Sequence, residues 1–293
     1  MPQKLLAAIT ILLTLCACEK VDLTPYLDPD TADGYEVTLR VDSYSVVSFD
    51  GASDAQNTRA VTATAADMGS VVNIAVFSDG EKVKTVNQKI SDPDFGTVTL
   101  KLAAGTYTIV ALVHGRSGNA TISSAEKVTF PNNKVTDTFA LATDITVDGS
   151  KTVDMRLRRV VAMFRLTVED AIPDDVERMQ LYYTGGSSTL NAVTGFGCVN
   201  SRQTELRDVA DRTPGQVFEV YTFPHDQTGT LKMTLSALDA AGEAHTVKSL
   251  DDVPVEQQKI TTHTMQFFAE EADARENCLH LTGDNEWRGT IAY

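Results

Sequence analysis

The sequence predicts an all-β protein made of two β-sandwiches in series, and three observations carry that prediction. Valine and threonine together number 66 of 293 residues, about 23%. β-Branched side chains lose little on being extended and pack well on a pleated surface. Strictly alternating segments recur along the chain and are bounded by Gly, Asp, Asn and Pro. No stretch sustains a helical period. Forty acidic against 25 basic residues give a net charge of −15. A nucleic-acid binder needs a basic footprint, so this class is excluded, as is adsorption to anionic lipid through a polybasic surface.

Residues 1–17 read as a sorting signal, set aside from the fold. Lys4 supplies a positive start, and Leu5 to Leu15 is an apolar run too short to span about 30 Å of hydrocarbon as a helix. The run ends in Leu15-Cys16-Ala17-Cys18. That tetrad resembles the lipobox of bacterial lipoproteins, which implies cleavage before Cys18 and acylation of it. Cys16 is the poorer acceptor because Leu15 precedes it. Several acyl chains anchor a protein stably where one binds marginally. Residues 18–34 are acidic, contain two prolines and read as a tether. Asp28, Asp30 and Asp33 do not make a calcium loop, since Ala32 and Leu39 stand where oxygen ligands belong.

The first sandwich is expected over 35–157. Tyr35, Val37, Leu39 and Val41 share one face of a strand that runs toward Phe49. Residues 51–69 read as a long exposed connection carrying Arg59. Strands follow at 71–78, 82–88, 97–102, 106–113, 127–130, 135–141 and 152–157, with Asp79-Gly80 a tight-turn signal. The apolar phase slips at Arg158-Arg159, which sets the start of a second sandwich over 158–270. Its strands are expected at 160–168, 178–184, 216–223, 231–238, 244–248 and 259–268. The Gly- and Ser-rich stretch 184–213 reads as an irregular excursion. Residues 271–293 form a tail with a last short strand near Cys278.

Catalytic and metal signatures are missing. His114, His225, His245, His263 and His280 have no ligand spacing, and Cys278 with His280 lacks a second pair for zinc. There is no nucleophile elbow, phosphate loop or metalloprotease motif. No cofactor is expected. Cys198 and Cys278 are expected as buried, unpaired thiols, and Trp287 as packing for a terminal strand.

The hairpin Leu100-Lys-Leu-Ala-Ala-Gly-Thr-Tyr-Thr-Ile-Val-Ala111 and the element Met155-Arg-Leu-Arg-Arg-Val-Val-Ala-Met-Phe-Arg-Leu-Thr-Val168, behind a lipobox and acidic tether, resemble the Bacteroidales fimbrillin superfamily. Ala171-Ile-Pro-Asp-Asp175 and Glu286-Trp-Arg-Gly-Thr290 add to the likeness, which is greatest with the lipid-anchored minor subunits. The resemblance implies two tandem transthyretin-like sandwiches, no enzymatic activity, an outer-membrane location through lipid on Cys18, and partners that are other fimbrial subunits joined by strand addition. In stalk subunits of the superfamily a protease cuts after an Arg behind the first strand, and Arg59 in Thr58-Arg59-Ala60 is the candidate here. An anchor keeps Arg59 intact. The alternative reading is a surface glycan-binding lipoprotein, which exposed coplanar aromatics would favour.

Overall fold

The computed structural model describes residues 34–45, 61–269, 278–282 and 291–292. The first unit contains β1 (Tyr35–Ser45), β2 (Val61–Thr64), α1 (Ala65–Met68), β3 (Val71–Ser78), β4 (Glu81–Lys89), β5 (Thr97–Leu102), β6 (Gly105–His114), β7 (Thr121–Ser124), β8 (Lys127–Thr129), β9 (Thr138–Val147) and β10 (Lys151–Arg159). The second contains β11 (Ala162–Val168), β12 (Arg178–Thr184), β13 (Thr189–Asn191), β14 (Phe196–Gly197), β15 (Gln203–Asp208), β16 (Gln216–Thr222), β17 (Thr228–Leu238), β18 (Ala244–Glu256), β19 (Ile260–Met265), β20 (Cys278–Thr282) and β21 (Ile291–Ala292). The all-β expectation holds.

In the first sandwich one sheet is centred on β1. β10 runs parallel to it on one side. On the other side β5 pairs with Tyr35–Arg40 and β2 with Asp42–Ser45, both antiparallel. The facing sheet is the antiparallel series β4-β3-β6-β9. Strand β10 turns the corner between them, because Arg158 and Arg159 leave β1 and pair with Ala140 and Phe139 of β9. Alternation puts Val37, Leu39, Val41, Val98, Leu100, Met155 and Leu157 inward, against Ile74, Ile109 and Val113. Fully burying each large aliphatic side chain contributes about 1.5–3 kcal/mol.

The second sandwich stacks β16-β11-β19-β20-β21 on β15-β12-β17-β18. Its first and later strands, β11 and β19, are again parallel neighbours. Phe164, Leu166, Leu181, Met233, Leu235 and Phe267 fill the core. The Asp170 carboxylate closes the chain after β19 by accepting the amides of Phe267, Phe268 and Ala269 at 2.8, 2.6 and 2.9 Å.

A third apolar cluster joins the two. The outer face of β3 and β6, with Ala75, Phe77, Val110 and Leu112, packs under Ile122, Val128 and Phe130 and against Leu190, Phe223 and Ile260 of the second unit. Both faces of β3 are therefore covered, and its burial runs unbroken from Val71 to Phe77. A small sheet β14-β13-β8-β7 crosses between the units, with Leu190 opposite Val128 and Thr189 opposite Thr129. Gly195, at φ +79°, lets the β13–β14 turn lie against Arg158, whose guanidinium would crowd a Cβ there. Arg158 donates to the Thr194 carbonyl at 2.8 Å, and Gln257 to that of Gly195 at 2.6 Å.

Several expectations need correction. Residues 61–68 are not open connection but β2 and α1, with Ala65 and Met68 buried. The excursion 184–213 holds three strands, and β7 was not anticipated. β9 extends past Leu141 to Val147, and β18 past Lys248 to Glu256. Cys198 is a free thiol but exposed, because β14 ends at Gly197 and the chain leaves the sheet there.

Candidate functional site

Strand addition requires an edge whose outward N–H and C=O groups are unpaired, so the edges of the two sandwiches are the candidate site. Side chains meet outward backbone groups on several of them. On β16, the carbonyls of Glu219 and Tyr221 accept Arg207 Nε at 3.1 Å and the Tyr183 hydroxyl at 2.8 Å. Phe223, just beyond, exchanges both backbone bonds with Ser187. On β15 the Thr204 carbonyl accepts Lys134 Nζ and that of Leu206 accepts Arg207 Nη1. Lys134 Nζ also pairs with Glu205 at 3.0 Å.

In the first unit, Gln88 of β4 crosses to the β5 edge. Its Nε2 donates to the carbonyls of Asp94 and Thr97 at 3.1 and 2.9 Å, and its Oε1 accepts the Gly96 amide at 2.9 Å. Lys82 Nζ donates to the Ile122 carbonyl of β7 at 2.9 Å. On β18, Pro254 lacks an N–H and its carbonyl accepts the Thr261 hydroxyl. The outer edge of β4 carries Lys82, Lys84 and Lys89 and a register break at Val83. Lysines and bulges both oppose pairing at an edge.

Strand β1 is the opposite of an edge. It is paired on both sides along most of its length, and Val37 and Leu39 are wholly buried. The pairing of Ser45 with Val61 makes 46–60 the link between two adjacent antiparallel strands. Arg59 falls in that link, outside the described residues, as do Cys18 and Trp287; at the chain's other end, β20 lies antiparallel on β19.

No chemistry gathers elsewhere among the described residues. Among the described residues no group of three or more His, Cys, Asp or Glu could hold a metal. His114 is buried and committed: Nε2 meets Asn73 Oδ1 at 2.9 Å and Nδ1 accepts the Arg116 amide at 3.2 Å. Burial pushes its pKa down to about 4. His263 is also buried, with neither ring nitrogen partnered, and burial lowers its pKa too. A cleft of about 450 Å³ opens between Phe77, Ala142 and Val193. Its Asp144 already accepts the Thr108 hydroxyl at 2.6 Å. The exposed large hydrophobics among the described residues, Val83, Ile90, Val193, Val199, Leu206, Val217 and Val247, are all aliphatic. They make no aromatic platform for a sugar ring.

The model of the family described as fimbrillin-A associated anchor proteins Mfa1 and Mfa2 matches residues 27–264. The chain belongs to that anchor-protein family. It is a fimbrial subunit of the cell surface, in a family of structural proteins rather than enzymes. No curated protein sequence matches it. Its fold is similar to that of a candidate adhesin of Bacteroides thetaiotaomicron, at TM-score 0.51 and 12% identity over 90% of this chain and 99% of the other. A candidate polysaccharide-binding protein of the same organism is similar at TM-score 0.51 and 11% identity, over 88% and 98%. The fimbrial anchor protein Mfa2 of Porphyromonas gingivalis aligns over 88% and 99% at TM-score 0.44 and 10% identity.

The residues that close the edges, Gln88, Arg207, Tyr183, Lys82 and Lys134, were not singled out from sequence. Gln88 alone left a trace: a polar side chain at a position of β4 that is buried.

Proposed function

We propose that this fimbrial subunit is the outer-membrane anchor of its fibre, held by lipid on Cys18 and uncut at Arg59. The observation that carries the reading is the central position of β1. Residues 18–34 lead directly into a strand locked between β10 and β5, so a lipid on Cys18 is continuous with the body's core. A cut after Arg59 would leave the lipid joined to the body only through the pairing of β1. Stripping out β1 would uncover the core residues it packs against, among them Ile74, Ile109 and Val113, and leave the inner edges of β10 and β5 open.

In this reading residues 1–17 are removed, 18–34 tether, 35–157 and 158–270 are the two sandwiches, and 271–293 are the tail. Joining to the next subunit by strand addition falls, in this reading, to the carboxy-terminal sheet, where β19 carries β20. The Cys18→Ala variant tests the anchor. It should appear unlipidated and leave the membrane fraction. Continued incorporation of labelled fatty acid into that variant would sink the assignment.

A further inference from the structure

We propose that β1 and β10 form a mechanical clamp that carries tension between the amino-terminal tether and the second sandwich; the inference rests on the anchor reading for the direction of the load. Tension on the tether enters the fold at Tyr35, the start of β1. The opposing load leaves through the end of β10, because Arg159 is followed by Val160 and Val161 and then β11 of the second unit. The two strands are parallel and adjacent, with seven residue pairs from Val37–Lys151 to Ser43–Leu157. Pulling one from its beginning and the other from its end slides them past each other lengthwise. Every bond of the ladder then shares the load and must yield together.

Two features resist that sliding. On its far side β1 is held by β5 over Tyr35–Arg40 and by β2 over Asp42–Ser45, so its withdrawal breaks a second row of bonds at the same time. Creep by a single residue is also barred. Side chains alternate with a period of two, so a one-residue slip would drive Thr38 and Arg40 into the core and Val37, Leu39 and Val41 out of it. The strand must therefore move by two residues or not at all. Rupture under load is governed by the height of the unfolding barrier rather than by equilibrium stability.

Load applied to the same strand from the other direction meets no such resistance. Gly149 lies beside the start of β1, since the neighbouring Ser150 hydroxyl accepts the Glu36 amide at 3.1 Å. Pulling Gly149 against the tether opens the ladder one pair at a time from Val37–Lys151 upward. A side chain at Gly149 meets no atom within 4 Å, so a handle can be placed there.

Single-molecule pulling on unlipidated protein, residues 18–293 made without the sorting signal, tests this, with Cys198→Ser and Cys278→Ser leaving the free Cys18 thiol as one attachment point. The second handle is supplied by Asp174→Cys, in an exposed loop of the second unit, or by Gly149→Cys. At one loading rate the first rupture should need a several-fold higher force with the Asp174 handle than with the Gly149 handle. Equal forces in the two geometries would overturn the clamp. The purified protein is pulled through Cys18 itself, so the ratio does not depend on lipid; absence of lipid in native protein would remove the anchor reading and leave the ratio standing.

Discussion

Arg159 and Asp137 face each other in a two-point ion pair where the first sandwich passes into the second. Arg159 Nε lies 2.7 Å from Asp137 Oδ1 and Nη2 2.6 Å from Oδ2, with the Arg159 side chain 3% exposed. Its guanidinium sits 4.7 Å from the centre of the Phe139 ring. The alternation that buries Met155 and Leu157 reaches Arg159 next, so the fold places a charge at a core position and must supply its partner.

Removing that partner exposes the cost. Breaking a buried pair typically costs about 3–5 kcal/mol, and the partly exposed Asp137 lowers this. Asp137→Ala should destabilise the protein by about 2–3 kcal/mol in urea unfolding. A loss below about 1 kcal/mol would show that the pair does not hold the junction.

The third apolar cluster makes the sandwiches depend on each other. Phe130→Ala deletes a ring that touches both, with Phe223 5.4 Å away and His114 5.4 Å away. The expected cost is about 3–5 kcal/mol. Calorimetry should show both units shifting together. A shift confined to the first unit would contradict the coupling.

His114 gives a pH dependence with a definite sign. Its folded pKa, about 4, lies below the ordinary 6.5, so folding favours the neutral ring. The stabilisation is present above pH 6.5 and is lost as pH falls toward 4. Between pH 7 and pH 5 this group should remove about 2 kcal/mol, with burial as the cause. His263, shifted the same way, adds to the loss. The slope of stability against pH should flatten in His114→Gln. An unchanged slope would mean that another group carries the acid sensitivity.

Edge closure is testable at Gln88. Gln88→Leu leaves the Asp94 and Thr97 carbonyls and the Gly96 amide without their partner, at about 1–3 kcal/mol for a buried group left unsatisfied. Hydrogen exchange at the Gly96 amide should accelerate while the amides of β1 stay protected. Tyr183→Phe with Arg207→Ala should likewise bare β16 and bring self-association on size exclusion. A monomeric double variant would show that these side chains do not guard the edge.

Much of this fold is legible in the chain. Strands β5, β10 and β12 show a period of two that assigns their faces correctly. The slip at Arg158-Arg159 marks a real event, the passage of β10 from one sheet to the other. What escapes is whatever depends on distant partners. β13 and β14 are too short to alternate, and β13 is held between β14 and β8, the latter about sixty residues earlier. Long buried runs in β3 and β6 identify strands but do not say what covers the second face. The edge plugs are single polar residues whose targets lie up to 70 positions away.

The central claim is that lipid, tether and core are one continuous chain. Intact-mass and amino-terminal analysis of the protein taken from cells with their fimbriae tests it most directly. The account predicts an acylated chain beginning at Cys18 and running unbroken through Arg59 into both sandwiches. A mature protein beginning at Ala60, without lipid, would contradict it.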